Sequence, residues 1–167
     1  GIEELLFALS EYTKMPEYQE KFGATVFKIT RDAQGSRLTH LKVTGGVLKA
    51  RNLLTGHKQN KPEDIWEEKV NQIRIYSGEK YETKDEVEAG TICAVTGLSY
   101  TYPGEGLGSQ EESELPILEP VLTYELILPD GVQPQAMMPK LAMLEEEEPE
   151  LHIVWNEELQ EIKIQIM

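Results

Sequence analysis

The chain is poor in the residues that mark several function classes. Its 167 residues include one cysteine, Cys93, so no internal disulfide can form and an oxidising compartment is not indicated. The histidines His40, His57 and His152 are scattered, and Cys93 has no partner at ligand spacing, which leaves no metal-binding motif. No apolar run approaches the roughly 20 residues needed to span a bilayer. The acidic, amphipathic opening carries no signal-peptide pattern. A cytoplasmic protein without a membrane partner is expected. No GxxxxGK[ST] phosphate loop occurs. Asn60-Lys61-Pro62-Glu63 approximates a guanine-specificity NKxD, but Glu63 replaces the Asp and no strand precedes it as a mount, so it reads as coincidence. Neither Cys93 nor any serine has a local base signature. The carboxylate runs Glu67-Glu68, Glu111-Glu112 and 145–148 read as solvated faces. No catalytic residue, metal or cofactor is assigned to this chain.

What is present is an uneven charge. Net charge is −14, yet residues 21–61 hold nine Lys/Arg against the single acid Asp32, a local +8. The flanking stretches 1–20, 62–115 and 116–167 are all acidic. A split this sharp points to an anionic partner for one face of one part of the molecule. At 40% hydrophobic residues the composition is globular, and the length suits one domain or two small ones.

Residues 1–13 follow a helical period, with Ile2, Leu5, Leu6 and Leu9 on one face and Glu3, Glu4 and Glu11 opposite. Such a helix is marginal alone and has to dock on a neighbour. Because the chain opens on Gly1 inside this pattern, a piece excised from a longer protein is expected. From Gly23 the pattern changes to short strands: 24–31, a turn over 32–36, then 37–43 with Thr39, Leu41 and Val43 on one face and Leu38, His40 and Lys42 on the other. The stretch 37–56 reads as strand, Gly45-Gly46 turn and short strand, a hairpin. Residues 57–64, polar and containing Pro62, read as a loop. A strand is expected over 69–76, and an apolar, central strand over 90–96. Short strands separated by Gly-bearing turns suggest a small closed barrel. The Gly-rich, then acidic 102–114 connection is the best domain boundary. Beyond it come a strand at 121–128, a helix at 135–147 and strands at 151–156 and 161–167, a β-α-β-β order. Pro139 fits that helix only in its first turn. The acidic run at the helix's C-terminal end opposes the macrodipole.

The basic stretch supports two readings. Its charges can simply solubilise a barrel surface. Alternatively Arg37, Lys42, Lys49 and Arg51 lie together on that surface and contact phosphates, which positions a module without reading sequence. Aromatics for base stacking are sparse within the stretch, Phe22 and Phe27 only.

The segments GIEELLFAL, ATVFKI, RLTHLKVTGGVLKARN, EKVNQIRIYSGEKYETKDEVEAGTICAVTGLSYTYPGEGL and PVLTYELILP resemble, in order and spacing, consecutive parts of elongation factor G and of the ribosomal-protection tetracycline resistance proteins. Arg37, Gly46, Leu48, Gly78, Ala89-Gly90 and Gly97-Leu98 match the domain II pattern. Gly104-Glu105-Gly106-Leu107 stands where the family usually reads Gly-Asp-Thr-Leu, and Glu119-Pro120-Val121 matches the start of domain III. The resemblance implies a mainly β chain. Residues 1–20 would be the last helix of a GTPase domain, 21–115 a translation-factor domain II β-barrel, and 116–167 an incomplete, ferredoxin-like α+β domain III. It implies a non-catalytic region that docks on small-subunit ribosomal RNA and relays GTPase state, with GTP and magnesium belonging to the parent protein. The alternatives are a ribosomal-protection protein and a protein-interaction module that uses the acidic half. An incomplete domain III would leave Val154 or Trp155 and Ile162, Ile164 and Ile166 partly uncovered on a sheet face or edge, so loose order or self-association is expected there.

Overall fold

The computed structural model describes residues 1–14, 16–59, 61–113 and 121–166. Its elements are, in chain order, helix α1 (Ile2–Tyr12); strands β1 (Gly23–Arg31), β2 (Arg37–Gly45), β3 (Val47–Lys49), β4 (Leu53–Lys58), β5 (Lys61–Lys69), β6 (Gln72–Ser77), β7 (Lys80–Lys84), β8 (Glu86–Glu88), β9 (Ile92–Thr96), β10 (Gly106–Gly108) and β11 (Leu122–Glu125); helix α2 (Pro134–Glu147); and strands β12 (His152–Asn156) and β13 (Glu161–Ile166). The chain is mainly β, as the sequence pattern requires.

A six-stranded antiparallel sheet, ordered β10-β1-β2-β9-β6-β7, forms most of the barrel wall. The ribbons β3/β8 and β4/β5 complete it, each contributing to one shared core: Leu48, Leu54, Trp66 and Val87 pack with Val26, Ile29, Leu41, Val43, Ile73 and Val95. The alternation expected along β2 holds, since Thr39, Leu41 and Val43 are buried while Lys42 is exposed. Strand β9 lies centrally between β2 and β6, which accounts for its apolar sequence.

Three expectations need correcting. The stretch 37–56 is not a hairpin: β2 pairs with β1 and β9, whereas β3 pairs with β8. Gly46 does take a left-handed φ of 56°, but the turn is set by the incoming chain, whose Gln19 carbonyl accepts the Gly46 N–H at 2.8 Å. A Cβ at Gly46 would meet Glu20 O and Phe22 N at 2.8 Å, so only glycine admits that approach. Second, within the polar stretch 57–64, His57 and Lys58 belong to β4 and residues 61–64 to β5, with a register shift at His57/Lys58. A two-stranded ribbon has an outward edge, and a proline is tolerated there. Third, 69–76 is interrupted: β5 ends at Lys69, and the Val70 and Asn71 N–H groups leave the ladder for Asn52 O and Thr96 O.

In the C-terminal part, β11 and β12 both run antiparallel to β13, which lies between them. This is the split β-α-β arrangement expected of a ferredoxin-like half. Pro139 sits inside α2 beyond its first turn, because the helix starts at Pro134. Ile162 is buried, not uncovered, while Val154 is exposed and Ile164 and Ile166 are half-buried. Directly paired residues share a face, so Ile162 and Trp155 lie on the face opposite Val154. The 115/116 boundary, Asn60 of the NKxD-like tetrapeptide and the Glu119-Pro120 match lie outside the described residues. Helix α1 keeps Ile2, Leu5, Leu6 and Leu9 exposed. No helix among the described residues is long and apolar enough to cross a membrane.

Candidate nucleic-acid interface

The four basic residues singled out by sequence do not form one exposed patch. Arg37, at the start of β2, has only 14% of its side chain exposed. Its guanidinium donates to Leu98 O at 2.9 Å, Thr101 O at 2.6 Å and Thr101 Oγ1 at 2.8 Å, and pairs with Glu146 Oε2 at 3.4 Å. It is a structural tie, not a free phosphate ligand. Lys42 is exposed on the outer face of the six-stranded sheet, opposite Thr25 and Ile92. Lys49 lies on the separate β3/β8 ribbon and makes an exposed ion pair with Glu86 at 3.1 Å. Arg51 follows β3 with a left-handed φ of 70°, its N–H donating to Val70 O at 2.7 Å and its side chain exposed. Lys49 and Arg51 are thus neighbours in one turn region, and Lys42 belongs to another surface.

Arg37 belongs to a charge cluster between the barrel and α2. Arg31 Nη2 meets Glu146 Oε2 at 2.9 Å, Arg31 Nη1 lies 3.6 Å from Glu147 Oε1, and Lys28 Nζ reaches Glu148 Oε1 at 3.9 Å. Glu145 accepts the Ile153 N–H at 3.1 Å. The acidic run reads as a solvated face in sequence; in the fold it clasps the barrel. The barrel cations offset the unfavourable placement of these acids at a helix C-terminus.

The outer face of the six-stranded sheet carries a row that sequence reasoning missed. Phe27 and His40 have ring centroids 6.1 Å apart, His40 and Tyr76 6.2 Å, and Tyr76 and Tyr81 5.3 Å. The row crosses β1, β2, β6 and β7. Central strand β9 places only Ala94 there, opposite both His40 and Arg74, and this small residue lets the rings close over it. Phe27 sits at a β-bulge, where Val26 pairs with Leu41 and Lys28 with His40, so the extra residue is turned out beside the His40 ring. Arg74 lies under the row, 4.4 Å from the Tyr81 centroid and 3.0 Å from Asp32 Oδ2. That pair holds the Asp32 carboxyl below the usual range, the hydrogen bond from Arg74 being the main cause. Burial, then the nearby Lys28 charge, lowers the pKa of His40, favouring a neutral ring; Thr30 Oγ1 lies 2.8 Å from its Nε2. No local signal could have revealed the row, because β2, β9 and β6 are adjacent in space but not in sequence.

Glu105, whose carbonyl accepts the Val26 N–H at 2.9 Å, is 1% exposed. The Trp66 indole N–H donates to its Oε1 at 3.1 Å, and the Tyr102 N–H to its Oε2 at 3.3 Å. Burial pushes its carboxyl up to about 7 against these hydrogen bonds. Cys93, pushed up to about 12 by burial, is a core residue and not a nucleophile.

With this architecture in place, the family model described as elongation factor G domain 2 matches residues 21–110, the barrel. The chain belongs to the elongation factor G family. It is 30% identical over 151 residues to an elongation factor G of Amoebophilus asiaticus, covering 87% of this chain and 20% of that protein. An elongation factor G of Ureaplasma parvum is likewise 30% identical over 154 residues, covering 89% of this chain and 21% of the relative. The chain therefore spans about a fifth of the length of these relatives. A crystal structure of a Thermus thermophilus protein superposes with a TM-score of 0.72 at 22% identity, covering 99% of this chain and 25% of the other, which supports the fold. These elongation factor G relatives lend no support to the ribosomal-protection alternative.

Proposed function

We propose that this chain is the non-catalytic, ribosome-docking region of a GTP-dependent translation factor, with GTP and magnesium handled elsewhere in a cytoplasmic parent protein. The observation that carries the reading is that the basic segment 21–61 builds the first strands of an elongation factor G domain 2 barrel in an otherwise acidic chain. Lys42, Lys49 and Arg51 present their charges outward, and the anion that fits is small-subunit ribosomal RNA backbone, met by position and not by sequence. Arg37 is reassigned: it ties β2 to the 98–101 segment and to α2. The clasp that it forms with Arg31 and Glu146 gives the C-terminal unit a route by which its position is sensed at the barrel.

The test is binding of the chain to purified small ribosomal subunits as a function of salt. Affinity is expected to fall steeply with ionic strength. Lys42→Gln with Arg51→Gln should weaken it and reduce the slope of log affinity against log salt by about 2, one for each phosphate that is no longer neutralised. Unchanged binding in this variant would instead favour a basic protein partner on the acidic half of the chain.

A further inference from the structure

The outer sheet face offers more than charge. Two of the four rings in its row are well exposed, Phe27 at 48% and Tyr81 at 46%, and Ile92 beside Lys42 is 59% exposed. Exposed aromatics on a sheet, spaced by small residues and flanked by cations, have the composition of a stacking platform for nucleobases. Lys28 and Lys42 flank the row on β1 and β2. The carboxylates that meet cations of this face are Asp32, committed to Arg74, and Glu148, a distant 3.9 Å from Lys28. In a chain of net charge −14 this face is a local exception, and its charge complements phosphate rather than an acidic protein surface. A fully paired duplex could use the lysines but would leave the rings idle, since its bases are stacked on one another.

We propose that the row Phe27–His40–Tyr76–Tyr81 is a binding site for unpaired RNA nucleotides, with exposed bases stacking on Phe27 and Tyr81 while Lys42 and Lys28 meet the adjoining phosphates. This deepens the docking reading and rests on it. The neutral His40 and the half-buried Tyr76 act as the rigid floor that holds the two outer rings in place. The bulge at Phe27 is the backbone device that turns the terminal ring out to the surface.

The experiment titrates the full chain into a short fluorescein-labelled single-stranded oligouridylate and, separately, a labelled blunt-ended RNA duplex with the same number of phosphates. Phe27→Leu and Tyr81→Leu keep apolar bulk but remove the π-face. Each should weaken the single strand by about ten-fold, the loss expected for one stacked base, and leave the duplex unchanged. Phe27→Tyr and Tyr81→Phe keep a ring and should bind both probes as the wild type does, with thermal melting run alongside to verify that every variant folds. An equal loss on both probes, or no loss on either, overturns the platform. If Lys42→Gln weakens both probes while Phe27→Leu weakens neither, phosphate docking stands and stacking falls. A wild-type chain that binds small subunits but not the oligouridylate likewise overturns the platform alone, and one that binds neither overturns both readings.

Discussion

Glu105 is a carboxyl held away from water at the point where the β4/β5 ribbon meets the 102–108 segment. Hydrogen bonds from the Tyr102 N–H, the Trp66 indole and the His57 backbone favour the ionised form, and burial outweighs them. The direction of the pH effect follows. Below the ordinary glutamate range the group is protonated in both folded and unfolded chains. Between that range and about 7 the folded chain holds the proton and the unfolded chain does not, so stability falls as pH rises and levels off above 7. The full effect is about 3 kcal/mol. Glu105→Gln, which still offers an oxygen to the Trp66 indole, should remove this slope from urea-unfolding free energies measured across roughly pH 5 to 7, the window between the ordinary and the shifted pKa. A variant that keeps the wild-type slope would mean that another group titrates. The site leaves no room for adjustment, since a Cβ at Gly56 would overlap both the Glu105 carboxylate and the Trp66 ring.

At the scale of elements, the contact between α2 and the barrel is electrostatic. Arg31 and Arg37 are largely covered, whereas Glu146 is 41% exposed, so solvent screens part of the pairing. Glu146→Gln should therefore cost only about 1 kcal/mol. Its effect should be local: faster hydrogen exchange in α2, none in β2 and β9, and a wild-type loss of α2 protection on raising salt that the variant does not show. Exchange that accelerates evenly along the chain would contradict a local clasp. Legibility in the sequence was uneven here. The period of β1, the centrality of β9 and the β-α-β-β order of the C-terminal part are local or near-local signals, and each is present in the fold. Partner choice is not local. The glycine turn after β2 is real, yet it delivers β3 to β8, some forty residues on, and not back to β2. The acidic run after residue 144 shows its charge in the sequence but not the arginines that it meets, which come from β1 and β2.

Across the whole molecule, the main core lies within the barrel, between Ala24 and Leu107, while among the described residues the buried apolar ones of the C-terminal unit are Leu141 and Ile162. Leu122 and Tyr124 on β11 are exposed and pair with half-buried Ile166 and Ile164, so one side of that sheet's apolar face is thinly covered. Local opening free energy follows buried contacts. Amides of β11 to β13 should accordingly exchange well before those of β1, β2 and β9 in native-state hydrogen exchange. Equal protection of the two units would show that they unfold as a single cooperative body.

The sequence by itself determined the mainly β character, the concentration of positive charge in residues 21–61, the absence of recognisable catalytic motifs and the family resemblance, because composition, period and ordered motifs survive in one dimension. Tertiary structure alone decided which cations are covered. Strand alternation puts Arg37 and Lys42, five positions apart, on opposite faces of β2, but only the fold brings partners to one of them. One ends on the covered side beside Thr101 and Glu146, the other on open sheet beside Ile92. It also decided that four rings from four strands form a row, since a sheet brings together residues whose separation along the chain carries no trace of their contact.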